Sequence, residues 1–340
     1  MARPMTEEAR SWTGWPLALD TQARAADIDA RALEHYRLER LKAELVKADV
    51  AGALLADPLN IRYATGARNM AVWTLHAAGR YAFIATQGPV VLFDFSSSEH
   101  TSASSSVIDE TLPSTPWFYF LAGPRVEERA AKWANEIADL VKRHGGGNRR
   151  LAVDRCEPWG AAMLERQGVS LVDAQALIER ARAVKSAEER KCLRLAMDVC
   201  DIAVERIRQS VTPGVTENQL WGVLHETNIA HDGEWIECRL LSSGERTNPW
   251  FQECGNRVIE AGDVVGFDTD MVGPFGLPRR YLAQHRLPGP EADGGATEAL
   301  RDRTGAGAVQ HGALAARPKL PRVCRQMLAG AGCLRCPTDI

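Results

Sequence analysis

The hydrophobic positions fall into two regimes that change over near Arg182. In the first, Leu33, Tyr36, Leu38, Leu41, Leu45 and Val46 recur at helical spacing among charged residues, which predicts a helix over 30–49. Short apolar runs of β type follow at 52–56, 60–64, 71–75, 80–84 and 89–93, separated by Gly and Pro turns such as Gly88-Pro89. Helical patterns return at 126–143 and 160–167, with a strand at 151–154 between them. This order predicts an α/β domain with a mixed sheet. In the second regime Ser186-Ala187-Glu188-Glu189 has the form of a capping box: the Ser186 hydroxyl can accept from the amide three residues on while Glu189 reaches back. It opens a helix through about Ser210 whose stripe is Cys192, Leu195, Ala196, Val199, Ile202, Ala203 and Ile207. Pro213-Gly214 ends that helix. A second box, Thr216-Glu217-Asn218-Gln219, starts another, carrying Leu220, Trp221, Leu224 and Ile229. Two β-type stretches, 235–241 and 257–270, complete an α+β arrangement distinct from the first.

The last of these stretches carries the chemistry. Residues 264–267 read as a buried strand ending in Asp268 and Asp270. Side chains alternate along a strand, so the two carboxylates share a side and can converge on one cation or two. Oxygen donors of this kind suit divalent metals such as manganese, iron or zinc. On the motif alone, a solvated strand end explains Asp-Thr-Asp equally well.

Composition narrows the function classes. A net charge of -3 over 340 residues argues against a nucleic-acid or anionic-membrane surface as the main partner. Charged residues at 25% and hydrophobic ones at 45% are those of an ordinary globular protein long enough for two domains. No signal-like or membrane-spanning apolar run is visible, and the cysteines lack a disulfide-framework spacing, so a cytoplasmic location is expected. Residues 1–30 read as an N-terminal arm that packs through Trp12 and Trp15. Residues 277–340, rich in Arg, Ala, Gly and Pro, show no convincing strand or helical stripe. Cys333 and Cys336, with Cys324 and His311 nearby, make only a weak zinc pattern.

Taken in order, Lys185 to Glu189, Pro213-Gly214-Val215-Thr216-Glu217, Ser243-Gly244, Ala261-Gly262-Asp263, Asp268 and Asp270 resemble the landmarks of the creatinase and aminopeptidase "pita-bread" metalloenzymes. The resemblance covers about the first four fifths of the chain. It implies a creatinase-like α/β N-terminal domain (31–181) followed by an α+β pita-bread metal-binding domain, incomplete here (182–276). Proline-cleaving members usually carry Asp-x-Gly at the strand end and a histidine in the loop after Ser-Gly. Here Asp270 stands in the glycine place and residues 246–254 contain no histidine. With residues 58–65 and 233–237, these departures look most like the branch that cleaves dimethylsulfoniopropionate to acrylate and dimethyl sulfide, a metal-assisted β-elimination.

The resemblance makes Asp268 and Asp270 the first ligands of a two-metal site, an iron site in this branch, with manganese and zinc as alternatives. It also implies a homodimer and a small sulfonium carboxylate as substrate. A sulfonium cation favours aromatic faces, which nominates Trp250, Phe251, Tyr63 and Trp73, with the run Trp117 to Phe120 behind them. Core packing is the competing role of each. The family's next ligand falls about ten residues after Asp270, where this sequence has Arg280, and nothing beyond restores the pattern. Permitted codons for 317–325, read in the next frame, can encode Ser-Phe-Arg-Glu, similar to a segment expected downstream. We therefore expect an out-of-frame tail from 277, uncovered apolar stripes on the two capped helices, weak metal binding and little or no turnover. A metal-dependent Xaa-Pro peptidase and a non-catalytic dimerising remnant are the alternatives.

Overall fold

The computed structural model describes residues 19–287, so the Trp12 to Pro16 stretch and the Cys333/Cys336 pattern lie outside the described residues. The chain enters through a short helix α1 (Thr21–Ala26), capped by the Asp20 carboxylate, within the stretch expected to be aperiodic. The first domain then runs α2 (Ala30–Lys47), β1 (Gly52–Leu55), α3 (Pro58–Thr65), α4 (Ala71–Thr74), β2 (Tyr81–Ala85), β3 (Val90–Asp94), β4 (Glu110–Pro113), α5 (Tyr119–Ala122), α6 (Val126–His144), β5 (Arg150–Val153), α7 (Pro158–Arg166), β6 (Ser170–Asp173) and α8 (Gln175–Ala183).

Its six strands form one mixed sheet in the order β4-β3-β2-β1-β5-β6. The β1/β2 and β2/β3 pairs are antiparallel and the other three parallel. Helices cover both faces, so the central strands are buried at every position rather than at alternate ones. Leu54 and Phe83 meet Trp133, Ile137 and Val141 of α6 on one face. Ala53, Leu55 and Ile84 meet Leu41 and Leu45 of α2, Ile61 of α3 and Ile178 of α8 on the other.

Two stretches expected as strands are helices. At 60–64 the local chemistry decides: Asp57 accepts from the amides of Leu59 (2.8 Å) and Asn60 (3.4 Å), and Pro58 sits in the first turn, where its missing N–H costs nothing. Gly66, at φ 70°, then closes α3 in the left-handed region. At 71–75 a single turn forms instead, and the Thr74 hydroxyl donates back to Ala71 O (3.0 Å). An apolar run of this length does not distinguish the two states without its caps.

The second domain contains α9 (Ala187–Ser210), α10 (Glu217–Ala230), β7 (Trp235–Ile236), β8 (Leu240–Ser243), β9 (Val264–Val272) and β10 (Pro278–Arg286). Both capping boxes are present, each with its reciprocal pair of hydrogen bonds. The four strands form an antiparallel sheet built around β9, which pairs with β10 along one edge and with β7 and β8 along the other.

Two expectations are corrected here. Residues after 277 do contain a strand: β10 pairs with β9 over nine positions, from Pro278 opposite Val272 to Arg286 opposite Val264. The backbone ladder forms although the strand's sequence, PRRYLAQHR, carries no sustained alternating apolar pattern. The α9 stripe is covered rather than bare. Cys192, Leu195, Val199, Ala203 and Ile207 lie within a core made with Leu220, Trp221 and Leu224 of α10, Val265, Phe267 and Met271 of β9, and Leu277 and Leu287.

The domains meet where α2 and α3 face α9 and the turn at 274–276. Arg37 of α2 pairs with Glu189 of α9 at 3.1 Å, with side chains only 4% and 1% exposed. Breaking one partner of such a buried pair typically costs about 3–5 kcal/mol, because the other charge is left stranded.

Candidate metal and substrate site

β9 is longer than its sequence pattern suggested, so Asp268 and Asp270 lie inside the strand rather than at its end. Val265, Phe267 and Met271 take the core-facing parity, which leaves the two aspartates together on the opposite face, as alternation requires. Asp268 is buried and Asp270 half-buried. In the ladder Asp268 stands opposite Leu240 of β8 and Leu282 of β10, and Asp270 opposite Arg280.

Cys238, in the bend between β7 and β8, lies beside the pair, and its thiol donates to Asp268 O at 3.5 Å. Burial, together with the nearby charges of Asp270 and Asp268, raises the Cys238 thiol above its ordinary pKa. A neutral thiol is a poor metal ligand. Among the described residues, no group of three or more His, Cys, Asp or Glu side chains is placed to hold a metal ion. The aspartates therefore have the oxygen chemistry of a divalent-metal anchor but do not complete a coordination sphere within the described residues, which falls short of the two-metal centre the resemblance implied.

The loop that carries Trp250 and Phe251 is held from below by Glu217, the first residue of α10, which is fully buried. One carboxylate oxygen accepts from both the amide and the hydroxyl of Ser243, each at 2.8 Å. The other accepts from the Gly255 amide at 2.9 Å and from the Arg246 guanidinium. Both ends of the 243–255 excursion are thereby pinned to one side chain. Arg257 extends the lattice, donating to Ser243 Oγ (2.7 Å) and Asp263 (2.6 Å). Burial works to raise the Asp263 carboxyl, but the hydrogen bonds from Arg257 and the Glu260 amide outweigh it and hold it below the usual range. Gly262 (φ 91°) makes the turn that presents Asp263.

The nominated aromatics are dispersed. Phe251 is 76% exposed and Trp250 partly so. Trp73 packs edge-on against Phe95 at 5.5 Å and tilts against Phe120 at 6.4 Å. Tyr63 is buried, donates to Ala181 O at 3.0 Å, and already carries the Arg37 guanidinium over its ring at 5.4 Å. Among the described residues no ring contact joins Trp73, Tyr63, Trp250 and Phe251 to one another. Of the run at 117–120, Trp117 stacks on Trp133 in the core at 4.5 Å and Phe118 is buried, while Tyr119 and Phe120 are exposed.

An open cleft of about 340 Å³ lies between α4 and the start of β7, bordered by Asn69, Met70, Gly233 and Glu234. Glu234 is held there by Arg62 (3.2 Å) and Arg68 (3.6 Å). Sequence reasoning did not find Glu217, Cys238 or this cleft. Glu217 reads as an ordinary first-turn acid until the strand and loop it binds are seen.

An α/β domain with a six-stranded mixed sheet, followed by capped helices on an antiparallel sheet that projects paired aspartates, defines the class. The Creatinase/Prolidase N-terminal domain matches residues 37–184 and Metallopeptidase family M24 matches residues 191–274; the chain belongs to this pita-bread metalloenzyme family. Its relatives include two proteins named dimethylsulfoniopropionate lyase DddP, from Roseovarius nubinhibens and Roseobacter denitrificans. Each is 40% identical over 254 residues, covering 73% of this chain and 57% of the relative. The chain thus spans little more than half the length of the relatives it matches. The fold is similar to that of the Xaa-Pro dipeptidase from Bacillus anthracis (TM-score 0.59, 19% identity, 78% of this chain and 68% of that one).

Proposed function

We propose that this chain is built on the framework of a dimethylsulfoniopropionate lyase and that, on its own, it does not turn the substrate over. The observation that carries the first half is the 40% identity to the two lyases over 254 residues, and the Metallopeptidase family M24 match at 191–274 spans the Asp268/Asp270 pair. The second half rests on the donor count among the described residues, where two carboxylates alone would hold a divalent ion weakly.

In the proposed reaction a base removes the α-proton of the sulfonium carboxylate, the C–H electrons form the C=C bond of acrylate, and the C–S electrons leave on dimethyl sulfide. This chain's own contribution is binding: aromatic rings such as Trp250 and Phe251 for the sulfonium, on a loop that Glu217 orders. The homodimer implied by the resemblance and the cytoplasmic location expected from the sequence belong to the same proposal. Support for the homodimer is family membership; among the described residues no helix is long and apolar enough to cross a membrane.

The test incubates the purified chain with the sulfonium substrate and ferrous, manganous or zinc ions, and follows acrylate. The expected result is no release above a buffer control and no stoichiometric metal after dialysis. Acrylate production with bound metal overturns the proposal. A proline dipeptide assayed in parallel separates the Xaa-Pro peptidase alternative, whose fold this chain shares. We further propose the reading-frame change: genomic sequence across codons 275–280 showing one uninterrupted frame in independent isolates defeats it.

A further inference from the structure

Between the two domains lies a cavity of about 180 Å³, lined by neither Asp268 nor Asp270 and walled by Arg37 of α2, Arg62 and Tyr63 of α3, Arg182 of α8, Lys185 from the link between domains, and Glu189 of α9. Four cationic side chains face one carboxylate. The lining charges are only partly neutralised. Arg37 Nε is spent on Glu189 at 3.1 Å, Arg62 Nη2 on Glu234 at 3.2 Å, and Arg182 Nη1 reaches Glu179 only at 3.8 Å. Lys185 turns to the Arg182 carbonyl rather than to a carboxylate.

Two guanidinium nitrogens remain without any hydrogen-bond partner among the described residues: Arg37 Nη2, on a side chain 4% exposed, and Arg62 Nε. A buried donor left unsatisfied is costly, and a charged one more so. The like charges also act on one another. Burial first, then the neighbouring Arg68 and Arg37, lower the Arg62 pKa, with Glu234 opposing; burial, Arg182 and Arg37 likewise lower that of Lys185, with Glu189 opposing.

We propose that this interdomain cavity is a binding site for a small multiply charged oxyanion of the phosphate or sulfate class. Such a ligand would give the orphaned Arg37 and Arg62 N–H groups acceptors, relieve the repulsion among four cations, and join residues of both domains. Guanidinium forks match tetrahedral oxyanions through paired hydrogen bonds, and the cavity volume favours a free ion over a larger phosphorylated molecule. The proposal is independent of the lyase reading, because it uses neither the aspartates nor the loop aromatics.

The test uses the full chain, titrated with inorganic phosphate and with sulfate at constant ionic strength made up with chloride. Thermal unfolding and calorimetry are the readouts. Phosphate should raise the melting temperature saturably beyond the chloride control. Arg182→Gln and Lys185→Gln, at the less buried rim, should each weaken phosphate binding about tenfold or more while leaving the circular dichroism spectrum unchanged. A phosphate effect equal to that of chloride, or one undiminished in both variants, overturns the proposal. Tighter saturable binding of propionate than of phosphate overturns the assigned ligand class.

Discussion

Glu217→Ala tests whether one buried carboxylate organises the loop region of the second domain. The wild-type group is fully buried and accepts from Ser243 N, Ser243 Oγ, Gly255 N and Arg246. Truncation leaves two backbone amides and a guanidinium without their acceptor. Orphaned buried donors cost about 1–3 kcal/mol each, and water entering the vacated space recovers part of that. The expected net loss is therefore about 3–5 kcal/mol, the range for breaking a buried ion pair. Glu217→Gln keeps one acceptor oxygen but turns an NH₂ toward donors, and should lose about 2 kcal/mol.

Urea unfolding followed by far-ultraviolet circular dichroism measures the loss as a shift in midpoint at constant slope. Limited trypsin digestion reports the local effect: cleavage after Arg246 and Arg257 should accelerate before the rest of the chain is attacked. An Ala variant within about 1 kcal/mol of wild type, with unchanged cleavage at these two arginines, would refute the assigned role.

Three further outcomes are expected. Asp154 accepts from the Ala56 and Asp57 amides and the Asn60 side chain, but burial dominates and raises its carboxyl to about 6. A raised carboxyl pKa means that its contribution is fully present below the unfolded value near 3.8 and is lost as pH rises through about 6, by at most about 3 kcal/mol. Asp154→Asn should therefore become progressively less destabilising relative to wild type between pH 4 and 7, and a pH-independent difference in urea midpoints refutes this. Ser186→Ala removes the acceptor for the Glu189 amide (3.0 Å) and should cost about 1 kcal/mol in the same assay. Leu195→Ala empties a fully buried position between α9, α10 and β9 and should cost about 2–5 kcal/mol; a loss below about 1 kcal/mol would mean that the stripe is not packed as described.

What was legible in the sequence follows from how local each signal is. Both capping boxes, the α9 stripe and the same-face aspartates depend on contacts within a few residues, and each is present. The helix α3 was equally local, but its signal lay in Asp57, Pro58 and Gly66 at the ends rather than in the apolar run between them. The strand β10 has little apolar pattern of its own and is defined by the ladder with β9, which no window along the chain contains. Glu217 and the interdomain arginines were invisible for the same reason: Glu217 binds residues 26 and 38 positions away, and Arg37 and Glu189 are 152 apart.

The outer side of β10 has a bearing on how this protein behaves in solution. β10 ends the sheet among the described residues, and the outer row of main-chain groups of this nine-residue strand has no neighbouring strand among them. Rows of that kind recruit identical rows from other molecules. The sequence of the strand holds three arginines and no Asp or Glu, so two copies approaching edge to edge would bring like charge together. That safeguard is electrostatic and therefore weakens as salt is added, because the screening length contracts to about 8 Å at physiological ionic strength and about 3 Å at 1 M. Dilute buffers should keep the chain dispersed, and concentrated salt should drive it into assemblies growing from this margin.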